Sequence, residues 1–335
     1  MRRSLALLAP LSALLVGSAA GLRAQLLSDY GEFYQKFTIN AVETVTPCYR
    51  TDAPQSLPVV YGVRRDSLGR VVQISRFSFG NIEAKSEWAT MRIAYTDYEA
   101  TNTSVQRRTF FNASGMPIGL GWAFAEEIVS RRGTGQLLMR KLVDRDGKPV
   151  NDDVGVSRAM FKSETPGVIV QEWYYKTGKV HFGEGSDGPY RPFAEMPPQT
   201  YFRKMTVDSN GHLLREEVWN FDKKPIPFPG GELVRGYEVN DCGQPTRVIN
   251  LDRENRPMSD NSGVASYRFE YDGAGRLIGW EAFDLAGSPK GRPGDGVAAA
   301  KFIYRAFDGV LLNEQWFDAA GKQVDIPEEA NAENR

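Results

Sequence analysis

Gly263-Val264-Ala265-Ser266-Tyr267-Arg268-Phe269-Glu270-Tyr271-Asp272-Gly273-Ala274-Gly275-Arg276-Leu277 is the stretch whose reading decides the fold. From Ala265 to Tyr271 apolar and polar side chains alternate, so Tyr267, Phe269 and Tyr271 share one face of an extended chain and Arg268 and Glu270 the other. Aromatic side chains suit a pleated, half-buried surface. Asp272 to Gly275 then closes a turn. An Asp side chain bonds backbone N–H groups just ahead of it, and Gly accepts the positive φ that a bulged hairpin turn demands. A second run follows and ends at Phe283-Asp284-Leu285-Ala286-Gly287-Ser288-Pro289.

The same frame recurs. Gly296-Val297-Ala298 leads through Asp308-Gly309 to Phe317-Asp318-Ala319-Ala320-Gly321. Upstream, Gly231 leads through Asn240-Asp241-Cys242-Gly243 to Leu251-Asp252, and Asp208-Ser209-Asn210-Gly211 leads to Phe221-Asp222. The first-turn glycines 135, 167, 211, 243, 275 and 309 are spaced by 32, 44, 32, 32 and 34 residues. The long gap holds an inserted loop, 183–199, rich in Gly and Pro. About eight units of roughly 32 residues are expected, two of them weak. The fold class is therefore all-β: tandem antiparallel β-hairpin repeats in one continuous curled or spiralling sheet over 57–326. Gly121 to Val129 looks helical by propensity, yet it aligns with Gly296 to Tyr304 and is read as strand. One short N-terminal helix is expected within a partly helical extension, 25–56. There Leu27, Tyr30, Phe33, Tyr34 and Phe37 recur at 3–4 spacing between Leu26 and Val42. Residues 327–335 read as a disordered tail.

Composition narrows the function classes. The 335 residues carry 41 basic and 42 acidic side chains, which removes the electrostatic case for nucleic acid. Two His and two Cys leave little material for metal or nucleophilic clusters, and no cofactor motif is present. The 33 glycines, about a tenth of the chain, are accounted for by the turns. Met1-Arg2-Arg3, the apolar run Leu5 to Val16 and the small residues up to Ala24 form a secretory signal pattern, 1–24, with cleavage expected after Ala24. No second apolar run is long enough to span a membrane as a helix. A secreted or periplasmic protein follows. In such an oxidising compartment Cys48 and Cys242 could pair or both stay free, since sequence says nothing about their separation in space.

Tyr271-Asp272-Gly273-Ala274-Gly275-Arg276-Leu277 resembles the YD repeat of Rhs and teneurin-type proteins, and Asp66-Ser67-Leu68-Gly69-Arg70-Val71-Val72 is a weaker echo. The resemblance implies hairpins joined into a long spiralling sheet, of the kind that shells toxins or presents adhesive surfaces. The repeats are also similar, distantly, to MORN-type hairpins.

Three sets of residues are candidates for chemistry. Asp208, Asp241, Asp272, Asp284, Asp308 and Asp318 could form a calcium-binding row, but each stands where a turn needs a capping side chain. Trp173, Trp280 and Trp316 stand at even offsets from the second-turn position, on one face of the sheet, where they could bind a glycan or peptide or fill a core. His181 and His212 are the sole histidines for a Ser–His–Asp triad, and no nucleophile elbow accompanies them. The leading expectation is an exported non-catalytic surface for a protein, peptide or glycan partner. An exported carboxylate-dependent hydrolase on the same scaffold is the alternative, and a structural envelope component the third.

Overall fold

The computed structural model describes residues 30–325 except 55–56, 79–80, 83–87, 120–122, 152–155, 175–199, 293–294 and 306–309. The signal segment, the inserted loop 183–199 and the tail lie outside the described residues. Among those described there are 22 strands and no α-helix. Strands β1 (Glu32–Ile39) and β2 (Val45–Arg50) form an N-terminal hairpin. The first repeat hairpin is β3 (Val60–Arg65) with β4 (Val71–Ser78), trailed by β5 (Asn81–Ile82). The second is β6 (Thr90–Tyr98) with β7 (Thr103–Phe111), trailed by β8 (Pro117–Ile118). Then come β9 (Ala125–Arg131) with β10 (Leu137–Val143) and β11 (Arg158–Thr165) with β12 (Val168–Tyr174). The fifth is β13 (Phe202–Val207) with β14 (Leu213–Trp219), trailed by β15 (Pro225–Ile226). The last three are β16 (Val234–Val239) with β17 (Pro245–Leu251), β18 (Ser266–Tyr271) with β19 (Leu277–Phe283), and β20 (Val297–Tyr304) with β21 (Leu311–Asp318), the last trailed by β22 (Gln323–Val324).

Each second strand pairs antiparallel with the first strand of the next hairpin, as in β4 with β6, β14 with β16 and β19 with β20. The result is one continuous open sheet that begins β2-β1-β3 and ends β20-β21. After a hairpin the chain folds back briefly onto the strand it has just left. Short strands do this at β5, β8, β15 and β22, and single bridges at Pro149, Pro257 and Pro289. Proline recurs at five of these seven positions because its nitrogen faces away from the partner strand and the flanking residues make the bonds, as Val150 N–H does to the Leu142 carbonyl.

The alternation read from sequence holds in space. Tyr267 and Phe269 are buried while Arg268 and Glu270 are exposed. They join Val248, Trp280, Ala282, Val297 and Ala300 in one cluster, and Val63, Ile74, Met91, Ile93 and Phe110 form its counterpart in the first two repeats. The segment Gly121–Val129 is strand from Ala125, as its repeat position demanded.

Among the described residues the helix expected over 26–42 is replaced by strand: residues 32–39 are β1. The misreading has a physical cause. β1 pairs with β2 on one side and β3 on the other, and aromatic side chains pack on both of its faces. Phe33 packs in one cluster with Tyr30 and Phe77, while its neighbour Tyr34 packs against another together with Phe37, Tyr61 and Trp88. A strand covered on both faces loses the period of two, and its aromatic spacing mimics a helical stripe.

The sheet curls far enough to bring this first hairpin against the turns of the fifth, sixth and seventh repeat hairpins. Ala41 N–H donates to the Gly211 carbonyl (3.1 Å), Thr38 Oγ1 to the Cys242 carbonyl (2.9 Å) and Lys36 Nζ to the Gly275 carbonyl (2.8 Å). Gly275 combines a φ of +75° with this contact, and a Cβ added there would lie 2.3 Å from Cε2 of Tyr49. Gly321 has nearly the same φ, +78°, in open space. Gly321→Ala should therefore cost only the left-handed penalty, about 1–2 kcal/mol, and Gly275→Ala about 1–3 kcal/mol more from the collision. Urea denaturation of the two variants checks this, and equal losses would remove the N-terminal hairpin from the turn rim.

Candidate functional site

The seam between the N-terminal hairpin and the turn rim gathers polar and nucleophilic side chains that lie 190 or more positions apart in the chain. β2 carries Cys48 and Tyr49, and cross-strand pairing sets Lys36 of β1 opposite Cys48. The facing turn is capped by Asn240, whose Oδ1 accepts the N–H groups of Cys242 and Gln244 at 3.0 and 3.1 Å. Tyr49 OH donates to Gln244 Oε1 (2.7 Å), and Gln244 Nε2 donates to the Gly275 carbonyl (2.9 Å). Tyr49 is held at φ +60°, a conformation that bulky residues rarely adopt.

Both cysteines are free thiols, Cys48 buried and Cys242 partly exposed. They are direct neighbours. Burial pushes the Cys48 thiol up to about 12, with the hydrogen bond and charge of Cys242 adding to the effect. Tyr49 is likewise raised to about 12, first by burial and then by the Cys242 sulfur. The seam thus holds one thiol out of water beside a second that solvent can reach.

The other residues singled out from sequence fall into structural places. Trp280 is 2% exposed, and its ring lies 6.2 Å from that of Trp316, edge to face. Trp173 packs in a different cluster, with Ile128, Phe161 and Met205. Trp280 is thus core, and the half-buried Trp173 and Trp316 pack against two different clusters. His212 is buried in its turn, with Nδ1 3.2 Å from Asp208 Oδ2, and His181 lies outside the described residues. Asp208, Asp272, Asp284 and Asp318 cap their turns through Oδ1. Asp241 does not, because the residue before it, Asn240, takes that role, and Asp308 is outside the described residues. Among the described residues no three His, Cys, Asp or Glu side chains are grouped as metal ligands.

Two buried ionic networks complete the picture. Arg108, fully buried, reaches Glu43 at the tip of the N-terminal hairpin (3.2 Å) and Glu126 of β9 (3.3 Å), which also pairs with Arg140 at 2.7 Å. In the fifth and sixth repeats Glu216 takes Arg203 Nε at 2.6 Å and the hydroxyl of Tyr237. Sequence reasoning missed Lys36, Thr38, Tyr49 and Gln244. The signal that could have found them was Asn40-Ala41-Val42-Glu43-Thr44, a polar-capped turn between two β-prone segments.

No protein-family model matches the chain, and no curated protein does. Among solved structures the chain is similar to a Photorhabdus luminescens Tc holotoxin pore carrying a TccC3 mutation. Identity there is 12% and the TM-score 0.26, with 79% of this chain and 14% of that one covered. It is also similar to a TcdB2-TccC3 crystal structure, at 12% identity and TM-score 0.19, covering 83% of this chain and 20% of that one. The chain thus spans a fifth or less of the length of these structures. The assignment to antiparallel hairpin repeats rests on the sheet itself.

Glu216 sets an acid limit on the fold. Burial alone would raise its pKa, but the Arg203 charge, the Tyr237 hydroxyl and Arg235 together hold it below the ordinary 4.5. A carboxyl depressed on folding stabilises the native state fully above its unfolded value, and that contribution is lost as pH falls through the folded value. The melting temperature should therefore hold from pH 7 to about 5 and fall below about 4.5. Glu216→Gln should lose about 2 kcal/mol at pH 7, because the half-buried Arg203 and the buried Arg235 lose a counter-charge, and should flatten the acid limb. Melting curves across this range check both, and an unchanged acid limb in the variant would contradict the assignment.

Proposed function

We propose that the chain is an exported, non-catalytic β-repeat scaffold that binds an extended segment of another protein along its last long strand. The observation that carries this is the outer edge of β21. β22 covers only Trp316 and Phe317, and among the described residues no strand pairs with the outer edge from Leu311 to Gln315. Leu311 and Leu312 are 41% and 54% exposed, beside Ile303 at 42% on the neighbouring strand. An open edge with exposed apolar side chains is a template for strand addition, in which main-chain bonds supply affinity and side-chain pockets supply choice.

Export rests on the leader pattern of residues 1–24. The carboxyls whose pKa departs clearly from its ordinary value behave as structural ion pairs and turn caps. A carboxyl serving as general acid needs a raised pKa. Glu32, Glu126, Glu216, Asp66, Asp208 and Asp252 are instead all lowered, against whatever burial each has, by arginines or by backbone and side-chain hydrogen bonds.

The test is a display library of eight-residue peptides panned against the purified chain. Enrichment of alternating apolar–polar sequences is expected, with affinity lost at least tenfold in Leu312→Lys, which puts a charge on the edge. No enrichment, or enrichment indifferent to Leu312→Lys, would rule out strand addition at β21.

A further inference from the structure

We propose that Cys48 and Cys242 are the two halves of a disulfide latch that locks the N-terminal hairpin onto the turn of the sixth repeat. The two residues are 194 positions apart, and the curl of the sheet brings them together. Thr38 marks how close they are. Its Oγ1 donates to the Cys242 carbonyl at 2.9 Å and lies 4.0 Å from Cys48 Sγ.

Both sides of the pair are held by bonds that cross the same seam. Tyr49, the neighbour of Cys48, binds Gln244, two residues beyond Cys242. Asn240 Nδ2 also reaches the Tyr49 hydroxyl (3.3 Å), and Asn240 Oδ1 fixes the Cys242 N–H at 3.0 Å. Lys36, opposite Cys48 on β1, is anchored on Gly275 in the next turn of the rim. The left-handed φ of Tyr49 is a local strain immediately beside one of the thiols. Two thiols so bracketed are presented to one another by backbone that is hydrogen-bonded on both sides of the seam.

The difference in exposure orders the chemistry. Cys242 is partly exposed, and Cys48 is 4% exposed. The oxidant is a small-molecule disulfide, RSSR. The Cys242 thiolate attacks one of its sulfurs, forming Cys242–S–SR and expelling RS⁻, which takes up the proton that Cys242 gave up. Cys48 then attacks Sγ of Cys242. The bond from Cys242 to SR breaks, and the second RS⁻ leaves with the Cys48 proton. Two protein thiols are oxidised to one disulfide and RSSR is reduced to two RSH, so two electrons move. The product joins one edge of the sheet covalently to a turn six repeats along.

A cross-link closing so long a loop removes much of the freedom of the unfolded chain. The oxidised form should melt roughly 5–10 °C above the reduced one. The test treats the purified full chain with oxidised glutathione or with dithiothreitol, maps the peptides without reduction and records both melting curves. A linked Cys48–Cys242 peptide and the upward shift are expected. Cys242→Ser, a change at a partly exposed turn position, should melt with the reduced protein and lose all redox dependence. Cys48→Ala should do the same if it folds. A stable mixed disulfide on Cys242 without the internal link, a cross-linked dimer, unreactive thiols, or a linked form that melts no higher would each overturn the latch.

Discussion

In the turn after Tyr271 a single carboxylate oxygen, Oδ1 of Asp272, accepts the N–H groups of Ala274 and Arg276, both at 2.9 Å. Gly275 takes φ +75° so that the chain can come back round to it. Asp66, Asn112, Asp144, Asp208, Asn240, Asp260, Asp284 and Asp318 make the same pair of bonds. Each satisfies two donors that a tight reversal would otherwise leave to water. At the first turns the price is one residue of register, as between Glu270 and Tyr271 or Glu238 and Val239. That bulge lets the second strand resume with its apolar side chains on the core face. Where no glycine follows, Lys223 and Asn255 adopt the left-handed conformation themselves, at φ 57° and 63°. The geometry is thus more constant than the residues that build it.

Tips this small leave a rim that another strand can approach closely, and the N-terminal hairpin uses it. A hairpin array ordinarily couples only neighbours, so its stability is a sum of local terms. Here one hairpin pairs with the first repeat through Tyr34 and Tyr61 and binds the second through Glu43 and Arg108. It then reaches the fifth, sixth and seventh through Gly211, Cys242 and Gly275. Ala41 also packs against the cluster that Ile128, Leu137, Ala159, Phe161 and Met205 form across the third, fourth and fifth. Opening any of these repeats alone therefore strips contacts from the same brace, which ties distant units into one cooperative body. The buried Arg108 sharpens this, since withdrawing Glu43 leaves a fully buried cation short of one partner.

Much of this was legible in the residues, and the rest has a common reason for being hidden. Alternation and turn chemistry are local, so the faces of Tyr267, Phe269 and Arg268 could be read directly. So could the strand at Ala125, despite its helical composition. Parity is local too, and it correctly grouped Trp280 with Trp316. Which face becomes the core is a property of the assembled sheet, and it buried Trp280 instead of presenting it. Asn240 and Asp241 are equally plausible caps by composition, and only the turn's hydrogen bonds separate them. The segment around Phe33 and Phe37 was misread because β1 has neighbours on both sides and on both faces. The meeting of Cys48 and Cys242 depends on curl accumulated over six hairpins, which no window of sequence contains.

The contact pattern along β1 shows how strong that curl is. Asn40, Thr38 and Lys36 point the same way from one strand and meet turns 210, 242 and 275 in order. Four residues of strand span about 13 Å, whereas two hairpin steps in a flat sheet span about 19 Å. The turn rim and β1 can stay matched only if the rim is compressed or if the side chains make up the difference. Asn40 and Thr38 are short and sit over their turns. Lys36, at the far end, is long, and its Nζ reaches the Gly275 carbonyl at 2.8 Å. The shortfall of about 6 Å is close to the length of an extended lysine side chain. The brace therefore fits without forcing the rim together. The seam around Cys48 thus lies between a short side-chain contact at Asn40 and a long one at Lys36, and the length of the lysine, rather than a distortion of the rim, closes the gap.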